Sequence, residues 1–259
     1  MFFRYSAYTI REEVKIIMFF FKYIYILVLM FLTIFLRLYF FVLKRIKSRE
    51  KYDTALYKVV NGWAAHILKV IGISVSVKGM ENLPEGNCLV VSNHQSNADF
   101  LILMAKLDKQ MGFMAKKEIL KLHIVGTWMK AMHCVFIDRE DIRESLRAIN
   151  HGIDNLENGY SMVIFPEGTR SKSHNLGEFK KGSMKMATKS TVPIVPVVLD
   201  NTFKVFEESK GQLKSAKVSM SILKPINVKE LTKEEKVNLA EIVREKIQAE
   251  LNILEEKYD

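Results

Sequence analysis

Cys88–Leu107 reads CLVVSNHQSNADFLILMAKL: a short β-branched run, a polar loop, then an apolar stretch with helical spacing. The same unit recurs in both directions. Upstream lies ISVSV at 73–77. Downstream come GFMA at 112–115, a helix from about Lys117, CVFI at 134–137 and a helix near 141–157. SMVIF at 161–165, a helix near 182–189, VPIVPVV at 192–198 and KVSMSIL at 217–223 follow. The chain closes with a long amphipathic helix. It starts at Thr232 with a capping box to Glu235, and its apolar stripe is Val237, Ala240, Val243, Ile247, Leu251 and Leu254. Strands alternating with helices predict an α/β domain with a mixed, largely parallel sheet covered by helices. The prolines of VPIVPVV cannot donate to a ladder, so that strand is expected at an edge or at a bend. There is no internal repeat and no low-complexity linker.

Before this rhythm begins the composition is different. Ile16–Leu43 reads IIMFFFKYIYILVLMFLTIFLRLYFFVL, with Lys22 and Arg37 its only charges. The 14 residues between those charges make about 21 Å of helix, short of the roughly 30 Å hydrocarbon core. The whole 28-residue segment reaches about 42 Å if Lys22 and Arg37 snorkel to the interfaces. A tilted span and a deeply embedded helix both fit. The stretch is too long for a cleaved signal peptide, and no small-residue cleavage site follows it. Lys44, Arg45, Lys47, Arg49 and Lys51 follow it, against Arg4, Arg11 and Lys15 before it, which places the folded part on the cytoplasmic face of the cell membrane. The expected organisation is an N-terminal membrane anchor over 1–50 and a folded domain over 51–259. Residues 54–71 are helical and half apolar, extending the anchor or packing on the domain.

The 259 residues carry a net charge of +10, which calls for an anionic partner. Nucleic acid, anionic lipid, coenzyme A and an acidic carrier protein all satisfy that requirement. Cys88 and Cys134 both sit in apolar runs and read as buried free thiols. G-x-S-x-G, H-E-x-x-H, G-x-G-x-x-G and C-x-x-C are absent. Gly177 and Gly182 have P-loop spacing, but Ser183 stands where its lysine belongs. No metal-ligand spacing appears.

The polar residues at strand ends remain, where open α/β sheets place their sites. His94 in the NHQSNAD loop can accept a proton at neutral pH, and Asp99 five residues on can orient its ring. Ser96-x-x-Asp99 reads equally as a capping box. His133 and Asp138 share the spacing, but in the run HCVFID they point to opposite faces of a strand. FPEGTRS, directly after SMVIF, makes a tight turn. It projects Arg170, suited to gripping a phosphate, and Glu167, suited to a substrate hydroxyl or to holding Arg170. Lys180 and Lys181 precede a helix, and Asp138-Arg139 ends the strand CVFI.

NHQSNAD, VFIDR, FPEGTRS and VPIVPVV, in this order and at these separations, resemble the lysophosphatidate (1-acyl-sn-glycerol-3-phosphate) acyltransferases of the glycerolipid acyltransferase superfamily. The resemblance covers roughly residues 73–226. It implies His94 as the general base on the acceptor hydroxyl, with Asp99 its orienting partner. Arg139, Glu167, Gly168, Thr169 and Arg170 would bind glycerol phosphate, Lys116 and Lys117 would meet phosphate, and Pro196 would belong to the acyl-binding part. The donor would be acyl-coenzyme A or acyl carrier protein, with no cofactor, no acyl-enzyme and no nucleic acid. The partners would be lysophosphatidate and the phospholipid bilayer. His123 and His133 depart from the family's pattern. The alternatives are another acceptor (glycerol 3-phosphate or another lysolipid), hydrolysis of a lysolipid, and a non-catalytic protein that binds anionic lipid.

Overall fold

The computed structural model describes residues 2–209 and 212–256. Helix α1 (Phe2–Ile46) folds back at Lys47-Ser48 onto α2 (Arg49–Ile71), and Gly72 ends α2 with φ +90°, donating its N–H to the carbonyls of Leu68 and Lys69. Then follow β1 (Ile73–Lys78), β2 (Leu89–Ser92), α3 (Asp99–Lys106), β3 (Met111–Lys116), α4 (His123–Ala131) and β4 (Val135–Ile137). Next come α5 (Ile142–Glu157), β5 (Ser161–Ile164), α6 (Lys185–Ser190), β6 (Ile194–Asp200) and β7 (Ala216–Ile222). The last two are α7 (Lys233–Val237) and α8 (Leu239–Glu255).

The seven strands form one sheet in the order β1-β7-β6-β2-β5-β3-β4, parallel throughout except where β6 and β7 run antiparallel. The mixed, largely parallel sheet expected from the sequence is therefore present. Helices cover both faces, so the central strands are buried on both sides and read as unbroken apolar runs. Val90, Val163 and Val195 face α2 and α3, whereas Leu89, Met162 and Ile194 face α5, α6 and α8. Cys88 and Cys134 are free and buried, and burial pushes the Cys134 thiol up to about 12.

Three sequence expectations are corrected. Strand β6 is not an edge strand: it lies between β7 and β2 with every residue buried. Pro196 pairs with Val91 on one side. On the other side Leu223–Pro225 bulge opposite it, between the pairs Val197–Ile222 and Ile194–Ile226. Only a carbonyl is needed there, and the Pro196 oxygen accepts from Leu223 N–H at 2.9 Å. The closing helix is two helices. The Thr232–Glu235 capping box forms, but the chain breaks at Asn238, and Val237 is left 70% exposed while the rest of its stripe is buried.

The third correction concerns α1. Its inward stripe is Ile26, Leu29, Thr33, Arg37, Phe40 and Leu43, and Phe40 and Leu43 join the core beneath α2. Lys22 and Arg37 do not reach outward. The Lys22 ammonium donates to the carbonyl of Ile71 at 3.4 Å, and Arg37 turns inward with its guanidinium 5.3 Å from the Trp128 ring centre. Both cations find partners on the domain because α1 lies against it over this length. Lys22 meets Ile71, Tyr25 bonds His66 at 3.1 Å, and Phe40 packs edge-on against Tyr52. The outer face, including Phe21, Phe31, Phe35 and Leu38, stays exposed, and Phe20–Ile46 is long and apolar enough to cross a membrane. A continuous apolar face of this length marks a membrane-associated chain.

Candidate active site

β6, β2 and β5 are neighbours, so the loops leaving their C-terminal ends lie side by side. The loop after β2 carries His94, and its ring is stacked on Phe165 after β5 at 4.1 Å between centres. Nδ1 of His94 lies 2.7 Å from Oδ2 of Asp99, whose side chain is fully buried. That same oxygen accepts from the N–H groups of Gln95 and Ser96 at 2.8 and 2.9 Å. With Nδ1–H given to the carboxylate, Nε2 is left as the proton acceptor. The capping contacts of Ser96 and Asp99 form as well: Asp99 Oδ2 accepts from Ser96 N–H and Ser96 Oγ from Ala98 N–H at 3.0 Å, so one carboxylate serves both the turn into α3 and the histidine. His133 and Asp138 do not meet. His133 pairs with Asp53 at 3.5 Å and Asp138 with Lys117 at 3.6 Å.

The loop after β5 is fastened from within. Glu167 is buried, and it neither faces solvent nor holds Arg170. Its Oε1 accepts from His94 N–H at 2.7 Å and its Oε2 from Gly177 N–H at 2.9 Å. Burial pushes its carboxyl above the ordinary value, and those two donors pull it back. Gly168 sits at φ +72°, and a Cβ there would come within 2.9 Å of the Lys180 side chain. Its carbonyl accepts from Arg139, which reaches across from the end of β4. Arg170 pairs at 2.9 Å with Glu207, whose side chain is 3% exposed and which also accepts from Asn97 N–H at 3.0 Å. Thr169, Ser171 and Lys180 line a cavity of about 560 Å³ beside these loops.

His94, Asp99, Arg139, Glu167, Gly168, Thr169 and Arg170 thus form one group. Lys116 and Lys117 stand at its margin, more than half exposed, with Lys116 on Glu118 at 2.9 Å and Lys117 on Asp138. Pro196 is packed inside the sheet and does not line this cavity. The sequence reading missed Glu207, which the loop after β6 brings to Arg170; the one available signal was its position just past a strand end. It also missed Asn93, which clasps the backbone of Leu199 through bonds of 2.7 and 2.8 Å and so holds the His94 loop against β6. Among the described residues, no cluster of three His, Cys, Asp or Glu side chains is placed to hold a metal.

A family model described as Acyltransferase matches residues 74–200, the span that carries all of these loops up to the end of β6. The chain is 36% identical over 174 residues to a protein of Mycoplasma pneumoniae named "Probable 1-acyl-sn-glycerol-3-phosphate acyltransferase", covering 65% of each. It is 33% identical to the 1-acyl-sn-glycerol-3-phosphate acyltransferase of Borreliella burgdorferi over 72% of this chain and 75% of that one. The chain belongs to the 1-acyl-sn-glycerol-3-phosphate acyltransferase family. The match spans just under two thirds of the Mycoplasma relative's length. Among solved structures, the 1-acyl-sn-glycerophosphate acyltransferase PlsC from Thermotoga maritima superposes with a TM-score of 0.82 at 27% identity, over 95% of this chain and 98% of that one. The acyltransferase match ends at Asp200, so Glu207, the partner of Arg170, lies outside it.

Proposed function

We propose that this protein transfers a fatty acyl chain from an acyl thioester to the sn-2 hydroxyl of lysophosphatidate, giving phosphatidate in phospholipid biosynthesis. The observation that carries the reading is the His94–Asp99 pair at 2.7 Å, in a chain of a family whose curated members bear that activity in their names. His94 Nε2 takes the acceptor's hydroxyl proton as its oxygen attacks the thioester carbonyl. The C–S bond then breaks, and the thiolate leaves with the proton from the imidazolium. The acyl donor, acyl-coenzyme A or acyl carrier protein, is a substrate, and no cofactor enters. Asp99 orients the imidazole and steadies its charge. Glu167 fixes the backbone on which His94 rides, and Arg139, Arg170, Thr169 and Lys180 face the acceptor's phosphate. In an assay offering lysophosphatidate, glycerol 3-phosphate, lysophosphatidylcholine and monoacylglycerol, lysophosphatidate is expected to be acylated fastest. Equal rates on phosphate-free monoacylglycerol would reject the phosphate-reading part.

In this reading residues 1–50 anchor a catalytic domain formed by 51–259, on the cytoplasmic face of the cell membrane. The antiparallel course of α1 along α2, from the Lys22–Ile71 contact to the Phe40–Tyr52 contact, favours a helix pair embedded in one leaflet. A span perpendicular to the bilayer would carry Gly72 and the start of β1 into the hydrocarbon, where their backbone groups lack water. Replacing the outward Phe31, Phe35 and Leu38 together by Gln should move the protein from the membrane to the soluble fraction. Activity on bilayer lysophosphatidate should then fall at least about tenfold, since each lost anchor removes roughly 1.5 kcal/mol or more of apolar burial. Turnover of a short-chain, water-soluble acceptor should persist. Equal loss on both acceptors would mean that α1 does not position the site.

A further inference from the structure

A second and larger cavity, about 860 Å³, lies at the opposite edge of the sheet from His94. It is bounded by α1, α2 and α4 and by His133 and Tyr160, which immediately precede β4 and β5 at their N-terminal ends. Its cations are Arg37, Lys44, Arg45, Lys47, Arg49 and Lys130, and its one carboxylate is Asp53. Phe40, Phe41 and Tyr52 supply the apolar part of the wall.

Asp53 is already engaged. It accepts from the Tyr160 hydroxyl and pairs with His133 at 3.5 Å and with Arg49 at 3.8 Å. Burial alone would raise its carboxyl, but the His133 and Tyr160 bonds and the Arg49 charge outweigh that and hold it below the ordinary value. Among the described residues, Arg37, Lys44, Arg45, Lys47 and Lys130 have no carboxylate partner. Arg37 is the most exacting of them. Its Nε and Nη1 are buried without an acceptor, although the side chain is held by stacking over Trp128. The side chain as a whole is half-buried, and a guanidinium with two shielded nitrogens lacking acceptors is costly, while its planar fork suits a phosphate.

We propose that this cavity is a binding site for the headgroup of an anionic glycerophospholipid, separate from the acyl-transfer site. The phosphate pairs with Arg37, Lys44 and Lys130, while the acyl chains lie along the exposed apolar face of α1 beside Phe41 and Leu38. A lipid fits better than a free anion because the cations line a cavity walled by the membrane-facing helix itself. Occupancy pins the α1–α2 hairpin to α4 at the turn around Ser48. The inference rests on α1 lying in a leaflet, but it does not depend on the acyl-transfer chemistry.

The test uses the full-length protein in two measurements. In vesicle flotation, binding is compared between phosphatidylcholine alone and phosphatidylcholine mixed with phosphatidylglycerol. In solution, dihexanoyl phosphatidylglycerol is titrated below its micellar concentration, with inorganic phosphate and dihexanoyl phosphatidylcholine as the other arms. Arg37→Gln with Lys130→Gln should weaken both the preference for anionic vesicles and the soluble-lipid affinity by about tenfold or more. Lys58→Gln with Lys69→Gln removes the same charge from the exposed face of α2 outside the cavity and should leave the soluble-lipid affinity unchanged. Lys44→Gln, at an exposed position, repeats the test with little demand on folding. Equal loss in the two paired variants, or no loss in the cavity pair, overturns the proposal in favour of diffuse charge attraction. Equally tight binding of inorganic phosphate assigns the cavity to a free anion and overturns the lipid assignment. Absent vesicle binding with intact soluble-lipid binding would overturn the leaflet placement and, with it, the assignment of the cavity to a membrane lipid.

Discussion

His94→Ala is expected to lower kcat by about 10²–10⁴, the usual worth of a positioned general base, while the fold and donor binding persist. The ring is 20% exposed and stacks on Phe165; its removal takes one partner from the buried Asp99 carboxylate, which keeps the Gln95 and Ser96 N–H donors, so some stability should be lost while the fold holds. Asp99→Asn keeps the shape of a fully buried side chain. It should cost less in rate and point the same way, because an amide can present the wrong polarity to Nδ1. His151→Ala, exposed on α5, is the control and should turn over normally. A folded His94→Ala protein with near-normal kcat would remove the base from the mechanism.

Arg170→Ala should weaken acceptor use by about 2–3 kcal/mol in kcat/KM, a factor of roughly 30 to 150, if a charge-assisted phosphate contact is lost. Donor KM should change little. The loss should vanish on monoacylglycerol, which has no phosphate. Because Arg170 pairs with the nearly buried Glu207, its removal also strands that carboxylate and should lower thermal stability. Arg170→Lys separates the two effects: it keeps the charge for Glu207 but loses the bidentate fork, so stability should recover more fully than acceptor affinity. An unchanged acceptor dependence in Arg170→Ala would show that this arginine serves only to hold the loop around Asn97.

Much of this could be read from the sequence because each motif follows an apolar strand. In an α/β sheet, a loop that follows a strand lies at the C-terminal edge, and NHQSNAD and FPEGTRS had to lie close once β2 and β5 became neighbours. Contacts between distant segments were less legible. In the sequence Glu167 suits a substrate hydroxyl or Arg170, because nothing local indicates that His94 and Gly177 both point backbone N–H groups at it. Glu207 lacked a motif altogether. Pro196 misled the reading because a proline is usually a sign of an edge, and the bulge at Leu223–Pro225 that accommodates it belongs to a segment far along the chain. Arg37 was read against a bilayer alone. The ring of Trp128, far away in sequence, offered it a nearer partner than the interface did.

The central claim is that His94 drives direct transfer from thioester to lysophosphatidate. The decisive measurement follows thiol release and lipid product together, in wild type and His94→Ala, with and without lysophosphatidate. The account predicts that thiol release requires both lysophosphatidate and His94, and that it matches phosphatidate formation one for one. Thiol release that proceeds equally without the acceptor and yields free fatty acid would contradict it.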